Sequence, residues 1–301
     1  MSAPFTVVGL GELIWDLLPS GKQLGGAPTN FAYVARLLGN AGVVASRVGD
    51  DQLGREAVAR LGQMGLDASF MQRDAEHPTG TVGVTLDARG EPNFAVNEDS
   101  AWDYLEWTPR WQELAARADA VCFGTLGQRA PQARATMNSF LRHTCTGALR
   151  LFDVNLRHSF FTPDMLAAAL RQATVVKLNS DELARVAAML GTDTHGELAT
   201  ARHLLSAFDV RLVAVTRGAG GSLLVTHAEA VEHAGFHVRV ADTIGAGDAF
   251  AAALAHGSLR GAPLADISTA ANRLGAWLAT QTGATPPPDA QLLADVRRLL
   301  G

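Results

Sequence analysis

Seven residues, Asp242-Thr243-Ile244-Gly245-Ala246-Gly247-Asp248, carry the strongest chemical signal in this chain. Small residues between two aspartates leave backbone N–H groups uncovered, and the apolar, alanine-rich run from Ala249 to Leu259 predicts a helix beginning beside them. Orphan amides and the helix dipole at such a terminus favour an anion, and a phosphate fits that description. Asp248 falls in the first helical turn, where its carboxylate can take a proton from an attacking hydroxyl. The amides of Gly245, Ala246 and Gly247 would stabilise charge on a transferred group. Phosphoryl transfer is the chemistry these types and spacings suggest, because there positioning and charge neutralisation supply most of the catalysis. The plainer alternative is a helix cap preceded by a tight turn.

The elements that must hold this motif follow a βα rhythm. Phe5 to Gly9, Val43 to Val48, Ala120 to Phe123, Leu149 to Asp153, Val175 to Asn179, Leu212 to Thr216 and Ser222 to Thr226 read as strands. Helical stretches fall between several of them, including 27–38, 52–64, 131–144 and 180–190, with another at 263–280. This alternation predicts an α/β fold: a doubly wound, mainly parallel sheet with helices on both faces. Two stretches break the rhythm. Leu13 to Leu18 alternates around Asp16, and Thr81–Leu86 with Pro92–Val96 flank Asp87-Ala88-Arg89-Gly90, the pattern of a hairpin with glycine at the positive-φ position. The expected organisation is an α/β domain from residues 1–12, 25–78 and 99–301, and a small β-sheet lid from residues 13–24 and 79–98.

Two familiar nucleotide motifs are absent. After Gly9 and Gly11 a dinucleotide fingerprint needs glycine at position 14, which is Ile14. A P-loop ending at Gly21-Lys22 needs glycine at position 16, which is Asp16. Asp153-Val154-Asn155-Leu156-Arg157 ends a strand where open parallel sheets place ligands, although a polar loop reads as well. Asn179 and Glu182 have the spacing of a capping box, and Asp51 that of a simple cap. Arg217-Gly218-Ala219-Gly220-Gly221 follows a strand and lets backbone approach a nucleotide.

Residues Asp242–Asp248 resemble the second signature of the ribokinase-like (PfkB) carbohydrate kinases, and Gly25-Gly26-Ala27-Pro28-Thr29-Asn30 is similar to the Gly-Gly pattern near their start. The resemblance spans essentially the whole chain. It implies an ATP- and Mg2+-dependent sugar kinase whose β lid closes over the substrate, with Asp248 as catalytic base and Gly245, Ala246 and Gly247 as anion hole. By the same resemblance Asp16, Gly26, Asn30, Phe94, Asn155 and Arg157 belong to the sugar site, and Asn179, Thr216, Gly218, Gly221 and Asn272 to the ATP site. Glu182 would organise Mg2+ through its waters, and carbonyls of Asp242, Ile244 and Gly283 would hold K+. Asp153 to Arg157 also resembles the Asp-x-Asn-x-Arg segment of fructokinases, with Val154 where proline often stands.

The lid residues Asn93, Asn97, Glu98 and Asp99 are polar or acidic, with Arg89 at the turn tip, which favours a neutral polyol over a phosphorylated acceptor. Fructose is the first expectation. Ribose, a nucleoside or 2-keto-3-deoxygluconate are alternatives, the last needing Arg157 for its carboxylate. The rivals from other classes are a regulator that binds sugar or nucleotide without catalysis, and a nicotinamide oxidoreductase, which Ile14 disfavours.

Composition narrows the classes further. At 301 residues, 48% hydrophobic and 18% charged, the chain can bury a large core. A net charge of −5 and no Lys/Arg run argue against nucleic acid as a partner, and interrupted apolar stretches argue against a membrane span. Nine histidines form no His-Glu-x-x-His set, so any metal is expected to arrive with the nucleotide. Cys122 and Cys145 match no redox or zinc spacing and read as reduced core residues. No secretion signal is recognisable in Met1-Ser2-Ala3-Pro4-Phe5, so the cytoplasm is expected. A lid strand pairing with its twin would make a homodimer.

Overall fold

The computed structural model describes residues 3–18, 21–86, 92–192 and 195–301. Its strands run, in chain order, β1 (Thr6–Leu10), β2 (Ile14–Leu18), β3 (Gly21–Gly25), β4 (Ala41–Ala45), β5 (Arg47–Gly49), β6 (Gln72–Asp74) and β7 (Thr81–Leu86). They continue as β8 (Pro92–Val96), β9 (Ala120–Gly124), β10 (Leu149–Asp153), β11 (Val175–Asn179), β12 (Leu212–Thr216), β13 (Ser222–Thr226) and β14 (Ala230–His233). Eight of them form the main sheet in the order β14-β13-β12-β11-β10-β9-β1-β4. Neighbours from β12 to β4 pair in parallel, and β13 and β14 close one edge antiparallel.

Alternation along each strand divides the core in two. In β9, Ala120 and Cys122 face one side while Val121 and Phe123 face the other. The first face is covered by helices Ala27–Leu37, Ala246–Arg260, Leu264–Ala279 and Ala290–Leu300; the second by Pro109–Arg117, Pro131–Arg142, Pro163–Gln172, Ser180–Met189 and Glu197–Phe208. The expected doubly wound architecture is therefore present. The Ala246–Arg260 helix is buried nearly all round: Ala249, Ala251, Ala252, Ala253 and Ala255 are at most 1% exposed. Small side chains let it lie close between the helices at 27–37 and 264–279, so its first turn is held by packing rather than by propensity.

The lid is a four-stranded sheet ordered β3-β2-β7-β8. Its strand β3 and the split of the expected 43–48 strand into β4 and β5 are additions that the local pattern did not reveal. Residues 87–91, the expected turn with Arg89, lie outside the described residues, as does the side chain of Phe94. The lid is fastened at its base. Asp51 accepts from the Gly54 N–H at 2.7 Å as a helix cap, and also from Thr79 N–H at 2.8 Å, just before β7. Trp102, fully buried, packs with Ile14, Val82 and Leu126 beneath the sheet. Cys122 is core, but Cys145 is exposed in the loop after the Pro131–Arg142 helix, because the helix ends before reaching it. No helix among the described residues is long and apolar enough to cross a membrane.

Candidate active site

In the main sheet β1 lies between β4 and β9, so strands are added first to one side and then to the other. The crevice of an open α/β sheet forms at that reversal. A cavity of about 660 Å³ occupies it, roofed by Asp16 of β2, Gln23 of β3, Val82 of β7 and Val96 of β8, and floored by the loops that follow β1, β9 and β10, by Lys177 of β11 and by the turn from Thr243 to Asp248.

Asp248 stands on the cavity floor in the first turn of the Ala246–Arg260 helix. Its Oδ2 accepts a hydrogen bond from Asn30 Nδ2 at 2.8 Å, which joins two helix starts 218 residues apart in sequence. Burial raises its carboxyl above the ordinary Asp range, opposed by that hydrogen bond and by the charges of Lys177 and Arg157. Gly245 takes φ 79°, and a Cβ there would meet Ala284 Cβ at 2.6 Å, so the turn admits only glycine. The amide of Ala246 is already used, donating to Thr243 O at 3.2 Å. Among the described residues the N–H groups of Gly245, Gly247 and Asp248 have no acceptor. An anion cradle at this turn would therefore draw on those three N–H groups rather than on the expected Gly245, Ala246 and Gly247, with Ala246 shaping the turn instead of donating.

Beside the cradle stands a cation that the motif analysis overlooked. Lys177, 7% exposed, donates to both oxygens of Asp153 at 3.0 Å, and a Cβ placed on Gly247 would lie 2.8 Å from its Nζ. Burial disfavours the ammonium, but the Asp153 and Asp248 charges outweigh it and raise Lys177 above its ordinary pKa. Asp153 is pushed up to about 6 by burial and by Asp248 despite the pair. The raised lysine favours its charged form, while the upward shift of Asp153 opposes ionisation but leaves its pKa below neutral pH. A lone lysine in the apolar run Val175-Val176-Lys177-Leu178 was the available signal.

Glu12, immediately after β1, is the second residue that sequence reasoning passed over. It is 3% exposed, lines the cavity, and its Oε2 has no hydrogen-bond partner. Burial raises its pKa to about 7, Asp248 adding to the shift and Arg157 opposing it. Asn30 Oδ1 is likewise buried without a partner. Two orphan acceptors on one wall suit the donating hydroxyls of a polyol.

Of the expected sugar-site residues, Asp16, Gly26, Asn30, Asn155 and Arg157 all border this cavity. Gly26, at φ 101°, carries the chain from β3 into the Ala27–Leu37 helix, and a Cβ there would strike Glu12 O at 2.6 Å. Asp16 is raised by burial and lowered by Arg157. Asn155 adopts φ 39°, and its carbonyl accepts from Thr125 Oγ1 at 3.0 Å.

The expected nucleotide residues form a row next to the cavity rather than its wall. Cross-strand register sets Asn179 opposite Thr216 and Thr216 opposite Ser222, with Gly218 and Gly221 in the turn between. Asn272 stands behind the row; its Nδ2 donates to Ser222 Oγ at 2.7 Å and to Ser268 O at 2.8 Å. Glu182 completes the capping box with Asn179, and its Oε1 also accepts from Leu156 N–H at 2.9 Å. The same carboxylate therefore ties the Asn155–Arg157 loop to the helix start. Asp242 bonds Ile244 N–H at 3.0 Å and Gly283 N–H at 3.2 Å, which draws those two backbones together. Ile244 borders the cavity.

The sequence pattern of the pfkB family carbohydrate kinases matches residues 20–291. The chain belongs to that family. This carbohydrate kinase is 32% identical to the fructokinase of Escherichia coli over 263 residues, 82% of each chain. It is 30% identical to the aminoimidazole riboside kinase of Salmonella typhimurium over 310 residues, covering 96% of this chain and 94% of the other. Among solved structures, the fructokinase of Xylella fastidiosa with bound ATP matches with a TM-score of 0.83 at 25% identity, over 97% of this chain and 98% of that one. The kinase thus has the ribokinase-like architecture expected from its motifs.

Proposed function

We propose that this kinase transfers the γ-phosphoryl group of ATP to a hydroxyl of a neutral sugar, with fructose the first acceptor. The observation that carries the reading is the convergence, on one cavity, of Asp248, three amides without acceptors, and the Lys177 ammonium. The sugar hydroxyl oxygen attacks the γ-phosphorus and its proton passes to Asp248. The bond from that phosphorus to the bridging oxygen breaks, and its electron pair leaves with ADP. The cradle amides and Lys177 offset charge on the phosphoryl oxygens. Asp16, Asn30 and Glu12 orient the acceptor, and the lid keeps out water that would otherwise compete for the phosphoryl group.

Asn179, Thr216, Gly218 and Gly221, with Asn272 behind them, take the nucleotide in this reading. Among the described residues no group of three or more His, Cys, Asp or Glu could hold a metal ion, so Mg2+ would be carried chiefly by the phosphates, whose negative charge it neutralises. Both Glu182 oxygens already accept backbone amides, leaving second lone pairs for a metal-bound water. Asp242, Ile244 and Gly283 are held together closely enough for the expected carbonyl site for K+ to be worth testing.

Fructose is favoured by the names of the Escherichia and Xylella relatives and by cavity walls rich in carboxylate and amide groups. Arg157 on the same wall supports a second reading, a sugar acid such as 2-keto-3-deoxygluconate. Both are tested by ADP release in a coupled assay with ATP and Mg2+ across fructose, ribose, 2-keto-3-deoxygluconate, aminoimidazole riboside and adenosine, with and without K+. Fructose should lead in kcat/KM. A lead for the sugar acid that Arg157→Gln abolishes would replace fructose, and silence across the panel from folded, ATP-binding protein would overturn the kinase reading of the site.

A further inference from the structure

At the opposite end of the same strands lies a second cavity, of about 400 Å³. Arg142, Arg150, Arg171 and Arg211 border it, with Gln172 and Thr146, and among the described residues no carboxylate does. Arg142 and Arg171 sit in the last turns of their helices, where the dipole favours a cation. That account does not extend to Arg150 on β10 or to Arg211 just before β12. Burial and the nearby Arg211 both disfavour charge on Arg150, yet a guanidinium stays protonated in proteins. Among the described residues none of the four has an ion-pair partner, although the chain as a whole is acidic, at −5. Arg150 Nε donates to Gln172 O at 2.5 Å, and among the described residues its other guanidinium donors have no acceptor. Gln172 Nε2 donates to Asn138 at 2.7 Å, while its Oε1 is buried and has no donor.

We propose that this cavity binds a phosphorylated small metabolite, a phosphate monoester, with its phosphoryl group on Arg150 and Arg211 and its organic part against the rest of the lining. Arg142 also donates to Ser139 Oγ at 3.1 Å and the Arg171 guanidinium lies over the Phe208 ring, which leaves Arg150 and Arg211 as the guanidinium forks for planar, bidentate recognition of phosphate oxygens. The volume suits a sugar phosphate and is too small for a folded partner. The site is separate from the catalytic crevice: Arg150 lies near the start of β10 and Asp153 at its end, and Arg211 precedes β12, which ends at Thr216.

The test is calorimetric titration of the full chain with fructose 6-phosphate, and separately with inorganic phosphate, at fixed ionic strength. The chain is compared with an Arg142→Gln/Arg211→Gln double variant and with Arg211→Lys. Both arginines are exposed and lie outside the catalytic crevice, so turnover should be unchanged in each. The expected result is binding of the ester to the native chain, weakened at least about tenfold in the double variant, partly restored by lysine, and tighter than that of inorganic phosphate. Equal ester affinity in native and double-variant protein, measured after thermal melts show both folded, would overturn the site. Equal affinity for ester and inorganic phosphate would overturn the metabolite assignment in favour of free phosphate.

Discussion

Asp248, Lys177 and Asp153 form a chain of charges in which each group's state depends on the next. Asp248→Asn keeps the side chain's shape but cannot take a proton, and kcat should fall by about 10³-fold or more with ATP affinity nearly unchanged. Single-turnover kinetics with separate ATP binding measurements check this, and near-normal turnover would remove Asp248 as base. Lys177→Met leaves Asp153 buried and unpaired, which should cost about 3–5 kcal/mol of stability. Adding Asp153→Asn should recover much of that loss without recovering turnover, because the cation beside Gly247 is still missing; recovery of both would make the pair purely structural. Glu12 gives a pH signature. Its pKa rises from 4.5 to about 7 on folding, so the folded state holds the proton more tightly than the unfolded state. Stability from this group is complete below about pH 4.5 and is lost as pH rises towards 7. Glu12→Gln should therefore melt higher than the native chain above pH 7, by up to roughly 3 kcal/mol, with the gap closing towards pH 4.5. A gap constant across that range would contradict the raised pKa of the buried carboxyl.

Among the elements, the Ala246–Arg260 helix shows how packing sets chemistry. Two glycines at its start, the cap Gly245 and Gly247 in the first turn, have different physical duties, and alanine substitutions should separate them. Gly245→Ala forces a positive φ on a side chain and drives Cβ into Ala284 and Leu278, so a loss of about 1–3 kcal/mol in stability is expected together with loss of turnover. Gly247→Ala keeps an ordinary helical backbone but crowds the Lys177 Nζ that Asp153 holds, so the loss of stability should be smaller than for Gly245→Ala while kcat drops sharply. Denaturant titration and kcat measured on both variants check the contrast; equal destabilisation would mean that the turn, rather than the cradle, limits both.

Across the whole molecule, the pH response should have two arms. On the alkaline side Glu12 contributes as above. On the acid side His256, inside the Ala246–Arg260 helix, is lowered to about 3 by burial and by Arg260 and Arg297. The unfolded chain binds its proton below about pH 6.5 and the folded chain does not, so stability should fall as pH drops from about 6.5 towards 3. Asp51 and Asp74 act in the same direction at lower pH, since their hydrogen bonds hold them below the usual carboxylate range and stability is lost as they protonate. A melting profile from pH 4 to 9 should therefore peak in the middle. A monotonic profile would show that these buried groups do not dominate its pH dependence.

Much of the architecture was legible from local pattern. Strand alternation, the glycine motif before a buried helix and the two β excursions are set by near neighbours, and each recurs in the structure. The cap at Asp51 and the capping box at Asn179 and Glu182 were readable for the same reason, since their partners lie three residues away. What only the tertiary structure decided involves partners distant in the chain. Sheet register brings Lys177 to Asp153, and helix packing brings Asn30 to Asp248. Burial behind β1 leaves Glu12 with an unpartnered oxygen, and the ends of two helices and two strands gather four arginines around one cavity. A sequence states which groups could ionise or donate, but their desolvation and their neighbours exist only after the chain has closed on itself. That closure turns a lysine in an apolar strand into a charge beside the anion cradle.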